Sequence, residues 1–316
     1  MAVSTKVRKT KKITMNSLKN KRMMFYCIGF AIPLLQFAIF WLYLNYQSIT
    51  LAFQEYNYFG DKAGQYTFAG LSNFKWFFSE LQTNPGFKYA FQNGVYVYTI
   101  GLSSTIISLL CAYFVYKSFS GGMLFQVILM LPSIIPGIVL TSIFKYFVEN
   151  GVSEMMAKIT GEFHFGIFSG DNIMAQFWTM QFYSVWFGFA AGVLTYSSLM
   201  RGINQAIIEA AEIDGVNRFQ ELTKIIIPLI WPTFSTFFVM GVQSILTANC
   251  GQFLFFPSGA PKQLYTFGYW LFLQTFNGTS GTYPQISAVG VLLTCLCVPF
   301  TLFVRYLFQK YGPSAD

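Results

Sequence analysis

Residues 172–200 read NIMAQFWTMQFYSVWFGFAAGVLTYSSLM, 29 residues without a charge between Asp171 and Arg201. About 20 apolar residues in helical form cross the hydrocarbon core of a bilayer, so this stretch reads as a membrane span. Five more charge-free runs have the same property: 23–54, 89–116, 118–144, 225–261 and 263–304. Allowing for polar ends, the spans are expected at Phe25–Tyr46, Phe91–Tyr116, Leu124–Phe144, Met174–Met200, Leu229–Phe253 and Ile286–Phe308. The expected fold is therefore all-α, a polytopic membrane protein with six transmembrane helices. An even number of spans puts both termini on one side.

Composition agrees. Of 316 residues, 54% are hydrophobic and 10% charged, against about 25% charged in an ordinary soluble domain. Mean hydropathy is +0.48, which excludes an ordinary soluble enzyme. The expected organisation is a basic tail, 1–22, followed by a single transmembrane domain, 23–316. If the N-terminus is cytoplasmic, 14 of the 20 Lys and Arg residues fall inside and six outside, as the positive-inside rule requires. The first run is too long for a signal-peptide core and no small-residue cleavage site closes it, so it reads as a retained helix. The net charge of +8 follows from a tail beside an anionic inner leaflet. No base-reading motif is present, so nucleic acid is not an expected partner.

Several chemistries are disfavoured. The five cysteines (Cys27, Cys111, Cys250, Cys295, Cys297) fall within the runs and read as small apolar residues. His164 is the single histidine and has no Cys or His neighbour at ligand spacing; neither a metal nor a catalytic site is expected. No G-x-x-x-x-G-K-[ST] loop occurs, so ATP would have to be handled by a partner. Away from their ends the spans hold no Asp, Glu, Lys, Arg or His, which disfavours a proton-coupled carrier. Sodium coupling through carbonyls and hydroxyls would escape that test.

Between the fourth and fifth spans lies an inside loop, 201–228, carrying Glu209, Glu212, Asp214 and Glu221. Apolar residues at helical spacing predict two short helices outside the bilayer. The first covers about Asn204–Ile213 and closes at Gly215, where glycine suits a left-handed backbone. Asn217 and Gln220 have the spacing of a capping box for the second, and Pro228 marks its passage into the fifth span. Glu209-Ala210-Ala211, three residues, Gly215, nine residues and Ile225-Ile226-Ile227-Pro228 resemble the E-A-A-x3-G-x9-I-x-L-P signature of membrane subunits of binding-protein-dependent ABC importers. Ile227 replaces the usual Leu, a volume-conserving change.

The resemblance implies a permease in a bacterial cytoplasmic membrane, with a coupling loop seated in an ATPase subunit. Glu209 would face a basic partner residue, Ala210 and Ala211 would allow close approach, and Gly215 would form the turn. Glu212, at i, i+3 from Glu209, would extend the acidic contact. The implied partners are two ATPase subunits that bind ATP and Mg, a homologous second permease subunit and an extracytoplasmic solute-binding protein. The long outside loops, about 47–88 and 146–173, would meet that binding protein. No cofactor is expected in this chain itself.

Three further pieces, Phe68-Ala69-Gly70-Leu71-Ser72-Asn73-Phe74, Leu131-Pro132-Ser133 and Gly259-Ala260-Pro261, resemble the maltose-type, carbohydrate-uptake branch. They imply a sugar or oligosaccharide substrate. A sugar site needs aromatic faces together with hydroxyl or amide groups in a cavity near mid-membrane. On the fourth span, Ser184, Gly188, Gly192 and Thr195 form a small, partly polar stripe flanked by Tyr183, Trp186 and Phe187. Trp186-Phe187-Gly188 resembles a sugar-contacting stretch of maltose-type relatives, in which the Ser184 position is often Asn. Gly188 and Gly192 also form a G-x-x-x-G pair, a helix-packing signature. On the fifth span Asn249 and Gln252 share a face, and buried amides at membrane depth call for a cavity or a partner. An importer of another solute, an ion-coupled secondary carrier and a scaffold are the alternative readings.

Overall fold

The computed structural model describes residues 15–117, 121–162, 165–248 and 251–313 and is mostly helical. The tail expected at 1–22 lies largely outside the described residues, as do His164, Asn249 and Cys250. The first apolar run forms α1 (Met15–Phe37), a π-helical stretch (Ala38–Tyr43) and α2 (Leu44–Ala52) without interruption. Residues 22–49 are all exposed, so most of this span leaves the rest of the chain and only α2 packs back, mainly against the last helix.

A two-stranded antiparallel hairpin follows, β1 (Gln54–Tyr56) with β2 (Tyr66–Phe68), Glu55 opposite Thr67. The fold is therefore not wholly α, because the consecutive β-formers Tyr66, Thr67 and Phe68 favour a short ribbon. Gly70, at φ +62°, turns the chain into α3 (Ser72–Thr83). There Asn73 is buried and its amide donates to the carbonyls of Ala52 (2.9 Å) and Gln54 (2.7 Å). The Phe68–Phe74 stretch thus ties the end of the first span to the hairpin.

α4 (Pro85–Tyr116) starts with Asn84 capping and Pro85 in the first turn, where a missing N–H costs nothing. The run expected as one span at Leu124–Phe144 is instead α5 (Gly122–Ile134) and α6 (Gly137–Tyr146), bent by 96° between them. Pro136 forces Ile135 into the extended region (ψ 133°) and ends α5. Beyond a π-helical stretch (Phe147–Val152) lie α7 (Ser153–Thr160) and the long α8 (Ile173–Arg201).

The loop helix is α9 (Gln205–Ile213). The second expected loop helix is not separate. α10 (Arg218–Glu221), a π-helical stretch (Leu222–Ile226) and α11 (Ile227–Thr247) form one helical span, Arg218–Thr247. Pro228 sits in the first turn of α11, where the preceding π turn absorbs its missing donor. α11 stops at Thr247, short of the expected Phe253. Short α12 (Gln252–Phe255), a 3-10 turn (Lys262–Leu264), α13 (Phe267–Asn277) and the long α14 (Tyr283–Tyr311) complete the chain.

Among the described residues four helices are long and apolar enough to cross a membrane, or five if the bent pair counts as one span. α8 is not one of them, although it has 29 residues. Its Gln, Ser, Tyr and Trp side chains dilute its apolar character, and ten of its residues are buried by the chain itself. α8 packs chiefly on α4. One buried cluster (Leu109, Tyr113, Val193, Met200, Ile208, Ile226) lies at the end carrying the 201–228 loop. Two others, one around Phe177, Tyr183 and Phe255 and one around Phe87, Phe267 and Trp270, lie at the opposite end.

Candidate functional site

Two regions hold the residues that the sequence singles out. In the loop, Asn204 caps α9 by accepting from Ala206 N–H (3.0 Å). Gly215, at φ +77°, closes it. The Gly215 N–H donates to Glu212 C=O and the Val216 N–H to Ala211 C=O, both 3.1 Å, the paired bonds of a Schellman turn. The capping box is present: Gln220 N–H donates to Asn217 Oδ1 (2.8 Å) and Asn217 N–H to Gln220 Oε1 (3.1 Å).

This turn presents two faces. Inward, Ile208, Ala211 and Leu222 are buried. Outward stand Glu209, Ala210 and Gly215, together with Ile213 (86% exposed) and Phe219 (74%). Large apolar side chains so exposed on a turn held this rigidly suit a partner's groove. Reasoning from spacing passed over Ile213 and Phe219, although the apolar periodicity of α9 places Ile213 off its buried face.

Glu212 does not stand beside Glu209 as a free acid. Its carboxylate accepts from Lys117 Nζ at 3.1 Å, and the same ammonium lies 2.8 Å from the buried carboxylate of Glu221. Lys117 follows the last residue of α4. One turn earlier the Tyr113 hydroxyl donates to the Arg218 carbonyl (3.0 Å). Partial burial works to lower the Lys117 pKa, but the hydrogen bonds and negative charge of Glu221 and Glu212 together hold it above its ordinary value. Two apolar runs, 118–144 and 172–200, separate Lys117 from both acids in sequence, so spacing gives no sign of this arrangement.

The second region is a groove of about 270 Å³ lined by Ser104, Thr105 and Ser108 of α4, Gly188, Gly192 and Thr195 of α8, and Phe237 of α11. Three of the four stripe residues reach it. The hydroxyls of α4 were not singled out in the sequence, although Ser103-Ser104-Thr105 places three of them side by side within that apolar run. The two glycines differ. A β-carbon at Gly192 would lie 2.9 Å from the Ser108 side chain, whereas one at Gly188 would meet nothing within 4 Å.

Trp186 and Phe187 are 40% and 37% exposed and pack their rings beside Tyr183; neither lines the groove that Gly188 opens on. Ser184 is half-buried one turn before Gly188. Tyr183 points inward instead: its hydroxyl is 2.7 Å from Thr141 Oγ1 on α6, and its ring packs on Phe144 and Phe255. Asn249 lies outside the described residues. Gln252 is not on the fifth span, because α11 has ended. Fully buried at the start of α12, it accepts from Thr266 Oγ1 (3.0 Å) and donates to the Leu264 carbonyl. Its amide is therefore spent on folding the 252–266 segment and does not face the groove.

Residues 104–312 match the family model described as binding-protein-dependent transport system inner membrane component. The inner membrane ABC transporter permease protein YcjO of Escherichia coli is 25% identical over 54% of this chain and 58% of its own length, so the match spans little more than half of that relative. The multiple sugar-binding transport system permease protein MsmF of Streptococcus mutans is 23% identical over 83% of this chain and 87% of its own. The alpha-glucoside transport system permease protein AglF of Rhizobium meliloti is 24% identical over 88% and 81%. In fold, the chain resembles one from a bacterial alginate ABC transporter solved with an alginate pentasaccharide-bound periplasmic protein, at TM-score 0.70 and 18% identity over 96% of this chain and 100% of that one. Matching across about 66% of its length, with the long apolar helices such a protein needs, the chain belongs to the family of binding-protein-dependent transport system inner membrane components, multi-pass transport proteins of the cytoplasmic membrane and not enzymes.

Proposed function

We propose that this chain is the permease subunit of an ATP-driven importer for a sugar or oligosaccharide delivered by an extracytoplasmic binding protein. The observation that carries the reading is the 201–228 loop, whose inner face is locked to the bundle while Glu209, Ile213 and Phe219 stand outward. A rigid, apolar and acidic knob suits a basic-rimmed groove on an ATPase subunit. Two such subunits, holding ATP and Mg, would bind this chain and a homologous second permease, each through its own loop.

Six spans with cytoplasmic termini fit this role, in one domain from 23 to 316. α8 supplies the sixth: 29 helical residues reach about 43 Å at 1.5 Å each, longer than the roughly 30 Å hydrocarbon core, and its polar side chains Gln176, Tyr183 and Ser197 find partners within the chain. Sugar as substrate is supported by the relatives named for multiple-sugar and alpha-glucoside transport and by the groove's hydroxyls, Ser104, Thr105, Ser108 and Thr195, beside the aromatic rings of Tyr196 and Phe237. An sn-glycerol-3-phosphate permease is also similar, at 26% identity over 77% of this chain, but the groove has no basic lining residue for a phosphate. Transport is then alternating access between two arrangements of the paired permeases, biased by nucleotide on one side and binding protein on the other.

The test is vanadate-sensitive ATP hydrolysis by the purified assembly, with the binding protein loaded with candidate sugars. Stimulation by one loaded form supports the importer and names its substrate. If no ATPase subunit co-purifies with intact membrane chains, the reading fails, and uptake driven by an ion gradient becomes the measurement to make.

A further inference from the structure

The loop is fastened to the bundle at a place no signature residue occupies. Lys117, the residue just after α4, bridges Glu212, on the last turn of α9, and Glu221, on the first turn of the α10–α11 span. The Tyr113 hydroxyl adds a bond to the Arg218 carbonyl. Chain connectivity already ties the loop to α8 and α11, so this clamp adds the third helix of the groove. α4 is also the helix that contributes Ser104, Thr105 and Ser108 to the groove, and its main neighbour is α8.

The clamp has the properties of a mechanical fastening. Glu221 is 3% exposed, and a buried carboxylate is costly unless an opposite charge stays beside it. Separating α4 from the loop would strand that charge, so the two elements move as one body. Glu212 is mostly exposed and contributes less, since a solvated pair is weak. A single lysine thereby joins both sides of the turn at Gly215, and a displacement of α9 cannot be absorbed by hinging at that turn without breaking a pair.

We infer that Lys117 is a positioning residue for coupling: through Glu221, Glu212 and the Tyr113–Arg218 bond it makes α4, with its groove-lining hydroxyls, follow the loop when an ATPase subunit moves it. The inference rests on the importer reading. It goes beyond that reading in naming the helix that receives the motion and the residue that transmits it.

The experiment uses the complete assembly in proteoliposomes and reads sugar taken up per ATP hydrolysed. The double variant Lys117→Met, Glu221→Gln removes the clamp without stranding a buried charge, and should lower that ratio about tenfold while Lys117→Arg keeps it near wild type. Tyr113→Phe, which loses only one hydroxyl, should lower it about twofold and decides the matter if the double variant fails to accumulate. An unchanged ratio in an accumulated double variant, or equal losses of uptake and hydrolysis, overturns the clamp and leaves the importer intact. Wild-type assembly that shows no stimulated hydrolysis overturns the importer reading instead.

Discussion

Gly192 of α8 lies against Ser108 of α4 with no room for a side chain, while Gly188, one turn away on the same helix, faces open space. The pair that spells a packing motif in sequence is thus divided between packing and the groove.

That division predicts opposite phenotypes. Gly192→Val should overpack the α4–α8 contact and destabilise the chain by about 1–3 kcal/mol, seen as a lower Tm in detergent. Gly188→Val should leave Tm unchanged and raise the sugar concentration needed for half-maximal uptake. Equal Tm losses for both would contradict the assignment of Gly188 to the groove.

Gly215 carries the turn at φ +77°, a conformation that costs an L-residue about 1–2 kcal/mol. Gly215→Asn should be tolerated, since Asn visits this region. Gly215→Val should distort the Schellman turn and uncouple hydrolysis from uptake while the chain stays inserted. Uptake equal to wild type in the valine variant would count against the role of the turn.

Ile213 and Phe219 are exposed in this chain, so truncating them removes little from its own stability. The combined Ile213→Ala, Phe219→Ala variant should reach the membrane at normal levels and lose co-purifying ATPase subunit by tenfold or more, as buried aromatic anchors often dominate an interface. Glu209→Lys should act in the same direction by reversing charge. Undiminished co-purification would move the docking surface elsewhere.

Gln252 gives a control that separates folding from transport. Gln252→Leu would leave the Leu264 carbonyl and the Thr266 hydroxyl without their partner, at about 1–3 kcal/mol, and should lower Tm. The protein that remains folded should take up sugar with unaltered half-saturation. A changed half-saturation would return Gln252 to the pathway.

For Lys117 the sign with pH is definite. Its folded pKa is raised above the ordinary 10.5, so the stabilisation is fully present below the unfolded value and disappears as pH rises through the folded one. Protease sensitivity of the 201–228 segment should therefore stay flat to about pH 9 and rise only in more alkaline buffer. A step near neutrality would exclude the lysine as its source.

Local chemistry was legible in the sequence wherever one segment contains all the parties. The uncharged runs announce apolar helices because each is longer than the roughly 20 residues a spanning helix needs, and Asn217 and Gln220 announce a capping box because both partners lie within four residues. Gly215 announces a left-handed turn for the same reason. The limits are equally physical. Within 118–144 Pro136 marks a kink but not its size, and the 96° bend appears only in the folded chain; in 225–261 the end of α11 at Thr247 does not follow from the apolar run.

Side-chain roles divide along the same line. Gln252 is polar and apolar-flanked in sequence, which suits a cavity or a buried hydrogen bond equally; only the return of residues 264–266 to its amide decided between them. Lys117 and Glu221 are 104 positions apart and show no mutual signal. The membrane class, the helical character and the loop turn were determined by the sequence alone, because hydrophobic length and backbone conformation are properties of contiguous residues. Which glycine packs, which hydroxyls share a groove and which lysine fastens the loop were decided by tertiary structure, because those depend on which helices meet.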